Sequence, residues 1–193
     1  AGETTAVHMP LLERWLLHRL WQLDALVREA YNTYQFRDAV SAIVEFCNVD
    51  FSAFYLDVRK DALYCDAPSS LRRRACRAAI DEAFSRLTAW LAPVLPFTTE
   101  EAWLVRQPNA HSVHLRQFPE TPASWRDDVA AEQMEKLRDV RSAVTQALEE
   151  ARAAKRIGSS LEAAPVVHIF DEELRALVQS VDFAELCITS GIE

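Results

Sequence analysis

Residues 11–34 read LLERWLLHRLWQLDALVREAYNTY, a run whose apolar side chains return every three or four positions. Leu12, Leu16, Leu20, Leu23, Val27, Ala30 and Tyr34 share one face of a 3.6-residue helix, which leaves Glu13, His18, Gln22 and Glu29 to the outer face. Only three glycines occur in 193 residues, so long helices are expected rather than a turn-rich β fold.

Outward from that helix the same period continues. Residues 37–49 place Val40, Ile43, Val44 and Cys47 inward, and residues 50–63 do so with Phe51, Phe54, Tyr55 and Val58. Asp50 reads as the cap of the later stretch, with a break near Asn48. After a connector at residues 65–70, Ser69 or Ser70 caps a helix carrying Leu71, Ala75, Ala79, Ile80, Phe84, Leu87 and Leu91 inward. Pro93 and Pro96 stop it, and Thr98-Thr99-Glu100-Glu101 reads as a capping box for a short successor. Residues 107–126 are irregular. A long helix follows over residues 127–155, with Gly158 as its stop and Lys155 and Arg156 in its last turn. Residues 164–170 (APVVHIF) and 185–189 (ELCIT) read as strands around a short helix at 171–179. The expected fold is mainly α: an antiparallel helical bundle over residues 11–157, with a small α/β C-terminal appendix over 158–193. Residues 1–10 are set aside as a linker or ragged end.

The chemistry is sparse. Four well-separated cysteines without a Cys-x-x-Cys pair read as reduced thiols of a cytoplasmic protein, and no apolar run is read as long enough to cross a bilayer. No nucleotide-binding, nucleophile-elbow or zinc-protease motif occurs. His111 and His114 lack a third ligand, and Asp127-Asp128 and Glu149-Glu150 read as solvated helix charge. The reading therefore assigns no catalytic residue, no metal site and no cofactor to these residues. The net charge of −8 opposes nucleic-acid binding unless positive charge is gathered locally.

Several blocks carry a family resemblance. Residues 12–20 (LERWLLHRL), Ala30-Tyr31 with Tyr34-Gln35-Phe36, and above all residues 46–64 (FCNVDFSAFYLDVRKDALY) resemble the anticodon-binding region of bacterial isoleucyl-tRNA synthetases. Residues 91–103 (LAPVLPFTTEEAW) are similar to an element shared across class I synthetases for aliphatic amino acids. Residues 112–115 (SVHL) and 155–163 (KRIGSSLEA) extend the match, which covers about residues 11–193. Ala62 departs from the pattern where the family often has arginine. The HIGH and KMSKS signatures, the editing domain and the terminal zinc-binding cysteines of the family are absent from these residues. The resemblance implies a non-catalytic piece lying after the catalytic core and before the zinc module. Its parent would be a monomeric ligase joining isoleucine to its tRNA with ATP and magnesium, and with zinc in the terminal module. The implied partners are the anticodon arm of isoleucine tRNA and the catalytic core in cis, with no membrane.

That implication meets the charge objection. Arg59, Lys60, Arg72, Arg73, Arg74 and Arg77 outnumber the neighbouring Asp61 and Asp66, and Tyr64 stands beside Lys60. Unstacked bases need an aromatic platform and cations for flanking phosphates. These seven residues, with Lys155 and Arg156 as a second contact, are the expected tRNA-binding set. Two bland alternatives stand beside it: Tyr64 packing against the bundle, and the arginines forming a solvated helix face. At the level of the whole chain, the equivalent domain of a valyl-, leucyl- or methionyl-tRNA synthetase remains open. So does a helical protein-interaction module with no RNA ligand.

Overall fold

A computed structural model describes residues 9–193; most of the expected linker, residues 1–8, lies outside them. Helices α1 (Leu11–Asn32), α2 (Phe36–Glu45), α3 (Lys60–Tyr64), α4 (Leu71–Leu91), α5 (Pro96–Arg106), α6 (Asp128–Ala153), α7 (Glu172–Gln179) and α8 (Phe183–Cys187) follow in chain order, with a π-helical stretch over Phe46–Leu56. The chain divides into two compact units, residues 1–127 and 128–193. The long helix α6 thus belongs with the C-terminal residues.

In the first unit, α1 and the α2–π helix form an antiparallel hairpin. Tyr31 stacks edge-on against Phe36 at one end, Arg19 meets Asp50 midway, and Glu13 meets Tyr55 and Arg59 at the other. Helix α4 lies parallel to α1, since Cys76 sits at the Glu13 end and Trp90 at the Tyr31 end. Leu16, Leu20, Val27, Ile43, Phe46, Phe54, Tyr55 and Trp90 fill the core between them.

Several local expectations need correction. No break occurs near Asn48: the helix runs through Phe36–Leu56, and its second half widens to the π form. Asp50 does not cap anything, because Arg19 Nε donates to its buried carboxylate at 3.0 Å. The wider pitch brings positions five apart into register, and Phe46 stacks on Phe51 at 5.8 Å. The uninterrupted helix is also long and apolar enough, by length and composition, to cross a membrane, which splitting it at Asn48 had hidden.

The capping box fails too. Helix α5 starts at Pro96 with Leu95 as its N-cap and no side-chain cap, so Thr98 is already inside. Proline's fixed φ and missing N–H suit it to the first helical position, and that preference wins. Ser70 does cap α4, its Oγ accepting from the Arg73 N–H at 3.4 Å.

Glu13 and His18, expected on the outer face, are both buried. His18 Nδ1 accepts from the Asp127 N–H at 2.9 Å, tying α1 to the end of the irregular segment. That segment is held along its length by arginines over aromatic rings. Arg86 lies 4.1 Å over Trp125 and donates to the Glu120 carbonyl, while Arg116 lies 3.9 Å over Trp103 and donates to Ser85 Oγ.

The second unit buries Ala130, Met134, Leu137, Val144 and Leu148 of α6, which packs against α7 and α8. Helix α6 ends at Ala153, ahead of Gly158. Lys155 takes the left-handed position at φ 56°, and the Arg156 N–H closes the end onto the Ala151 carbonyl at 2.9 Å.

The α/β appendix is not found: no strand occurs among the described residues. Residues 164–170 form neither helix nor strand, and the chain end hydrogen-bonds to them. Val167 donates to the Glu193 carbonyl and Glu193 to that of Pro165. Residues expected in the second strand lie largely in α8, which Asp182 caps through the Glu185 N–H at 2.9 Å. A cap in hand outweighs the β preference of Cys187-Ile188-Thr189 when no neighbouring strand offers a ladder.

All four cysteines are free thiols: Cys65 exposed, Cys47 half-buried, Cys76 and Cys187 buried. Burial pushes the Cys187 thiol up to about 11. A thiol-specific disulfide reagent at pH 8 is therefore expected to modify Cys65 first, with Cys76 and Cys187 reacting only on unfolding. Equal rates at all four, followed by peptide mapping, would contradict the packing.

Candidate nucleic-acid interface

The expected site residues fall into three groups by what their side chains touch. Arg59 is withdrawn from the surface. It sits where the π stretch hands over to α3, and its Nε and Nη2 donate to the two Glu13 carboxylate oxygens at 2.7 and 2.8 Å. Tyr55 Oη donates to the same carboxylate at 3.0 Å. A buried cation committed to one carboxylate is a structural strut and has no face to offer a phosphate.

Arg72 and Arg73 are half-committed. Arg72 grips Asp66 through Nε at 2.9 Å and Nη2 at 2.6 Å, and Arg73 Nη1 donates to the Asp66 carbonyl at 2.5 Å. These contacts fold the connector back over the first turn of α4. The Arg72 hydrogen bonds, ahead of one from Ser70, hold the Asp66 carboxyl down at about 2. A depressed carboxylate contributes stability above its unfolded value near 4, and that contribution is lost as pH falls toward 2. A carbon-detected titration should therefore find the Asp66 carboxyl still ionised at pH 3; a midpoint near 4 would mean that the arginine clasp is open.

Lys60, Tyr64, Arg74 and Arg77 are exposed, and Tyr64 is 80% accessible. Helix α3 sets Lys60 and Tyr64 one turn apart on the same side. They line a groove of about 360 Å³ with Ser52, Ala53, Leu56, Asp57 and Leu63. Arg74 and Arg77, three apart on α4, share one outer face of that helix. Lys155 and Arg156 are exposed and belong to the second unit. Sequence reasoning passed over Ser52 and Asp57, although positions 53, 56, 57, 60, 63 and 64 already carry the three-to-four spacing of one helical face.

The sequence profile of the anticodon-binding domain of tRNA ligases matches residues 13–168, so the chain belongs to that family. Among individual proteins it is similar to the isoleucine–tRNA ligase of Brucella abortus, at 60% identity over 192 residues, 99% of this chain and 20% of that protein. The isoleucine–tRNA ligase of Agrobacterium fabrum is 57% identical over the same shares. That of Caulobacter vibrioides is 53% identical over 94% of the chain and 19% of the relative. The chain spans about a fifth of the length of these curated relatives.

Proposed function

We propose that this chain grips the anticodon arm of an isoleucine tRNA as one part of a longer isoleucine–tRNA ligase. The rest of that ligase would join isoleucine to the tRNA with ATP and magnesium. The observation that carries the reading is Tyr64. A large aromatic side chain left 80% exposed beside an exposed lysine, above a groove, is what an unstacked base needs for a platform. Lys60, Arg74 and Arg77 supply cations for the flanking phosphates, and Arg72 and Arg73 contribute whatever charge Asp66 leaves uncompensated. Lys155 and Arg156 form the second contact. The relatives named isoleucine–tRNA ligase support the isoleucyl reading over the other aliphatic synthetases.

The test is binding of an isoleucine anticodon stem-loop, followed by fluorescence anisotropy from 50 to 200 mM salt. Saturable binding that weakens with salt is expected. Binding absent at every salt concentration would remove the RNA reading and favour the protein-interaction module.

A further inference from the structure

We infer that residues 164–170 are the docking edge for a parallel strand, and that the strand is the stretch of the longer protein that follows Glu193. The inference rests on the reading of this chain as one part of a longer protein and uses nothing of the RNA surface.

The starting observation is a pair of backbone hydrogen bonds. The Glu193 N–H donates to the Pro165 carbonyl at 3.1 Å, and the Val167 N–H donates to the Glu193 carbonyl at 2.7 Å. A residue that donates to the position before its neighbour and accepts from the position after it makes the repeating unit of a parallel ladder. Glu193 is thus paired with Val166. The Ser190 N–H, bonded to the Ala163 carbonyl at 3.1 Å, leads the chain toward that register. Helices α7 and α8 lie between the two segments and supply the crossover that parallel neighbours require. Exposure over residues 163–170 alternates without a break, with Ala163, Pro165, Val167 and Ile169 half-buried and the residues between them exposed. That is the period of a strand.

A parallel ladder advances by two residues, so its next step is fixed. The Val167 carbonyl and the Ile169 N–H come next along the same edge, and neither has a hydrogen-bond partner among the described residues. They match the N–H and carbonyl of the second residue after Glu193, which would stand opposite His168. The first residue after Glu193 shares the parity of Ile192 and points to the same face. On that face a cavity of about 380 Å³ is lined by Ile192, Val167, Ile169, Val178 and Phe183, so an apolar side chain is expected there. Continuity selects this occupant over a second copy of the chain. Glu193 already holds the edge in register, and a directly joined segment reaches it without the cost of association.

The test compares amide hydrogen exchange in the 193-residue chain and in the same chain lengthened by the next stretch of the longer protein, about six residues, a usual strand length. The Ile169 amide is expected to exchange about ten-fold or more slowly in the lengthened chain, while the Val167 amide is protected in both. Proline at the second added position removes the N–H that would meet the Val167 carbonyl, and should return the Ile169 amide to its rate in the 193-residue chain. An Ile169 amide that exchanges equally fast with and without the added residues overturns the inference, as does protection that survives the proline. Protection already present in the 193-residue chain and growing with its concentration assigns the edge to a second copy and overturns it too. Binding of the anticodon stem-loop is measured separately, so each of these failures leaves the RNA-facing reading standing.

Discussion

Glu13→Ala is expected to destabilise the folded chain by about 3–5 kcal/mol, a large fraction of the about 5–15 kcal/mol that holds a typical domain together. The residue is fully buried and accepts both Arg59 nitrogens and the Tyr55 hydroxyl. Its loss strands a buried guanidinium without a counter-charge and a phenol without its closest acceptor. Burial and the Glu13 charge hold the Tyr55 phenol well above its ordinary value, so it remains a donor. The energetics of such pairs are asymmetric: breaking one is costly, whereas replacing both members with apolar groups of similar size is nearly neutral. The double variant Glu13→Leu with Arg59→Met should therefore recover most of the lost stability. Urea denaturation of Glu13→Leu, Arg59→Met and the double variant measures the coupling directly. A Glu13→Ala cost below about 1 kcal/mol would show that the pair is not sealed from water.

Glu13 also shows where the sequence stops being readable. Its stripe neighbours Leu12, Leu16 and Leu20 announce a buried face because apolar residues have only one place to go. Glu13 itself is indistinguishable from a solvated carboxylate until Arg59, 46 positions later, is brought against it. His18 waits in the same way on the backbone of Asp127, 109 positions away. Both errors have one cause: a polar side chain reveals burial only through a partner that local spacing does not specify. The site divides along the same line. Lys60, Tyr64, Arg74 and Arg77 were legible as a surface set because nothing distant claims them. Arg59 was misplaced because Glu13 does, and Arg72 is compromised by Asp66, only six positions away. The lost strands are another matter. Residues 164–170 have strand composition, but composition supplies no second strand.

Replacing Lys60, Arg74 and Arg77 together by alanine is expected to flatten the dependence of log affinity on log salt by about two units. Each phosphate contact to a single-stranded loop contributes about 0.7. Between 50 and 200 mM salt that difference changes the affinity ratio of wild type to variant by more than ten-fold, so both quantities can be read from one titration series. Exposed lysine and arginine side chains away from buried partners should leave stability within about ±0.5 kcal/mol each. Binding loss in a chain of unchanged melting temperature can then be assigned to the interface. Tyr64→Ala should behave differently, losing about 1–3 kcal/mol of binding with the salt slope intact, because stacking releases no counterions. Arg72→Ala separates charge from architecture, since it opens the Asp66 clasp and leaves that carboxylate to oppose the phosphates. Its affinity should fall while Lys60, Arg74 and Arg77 keep most of the slope. A triple variant with unaltered affinity and slope would move the cationic face off α3 and α4. The exposed pair Lys155 and Arg156 would then be the next to neutralise.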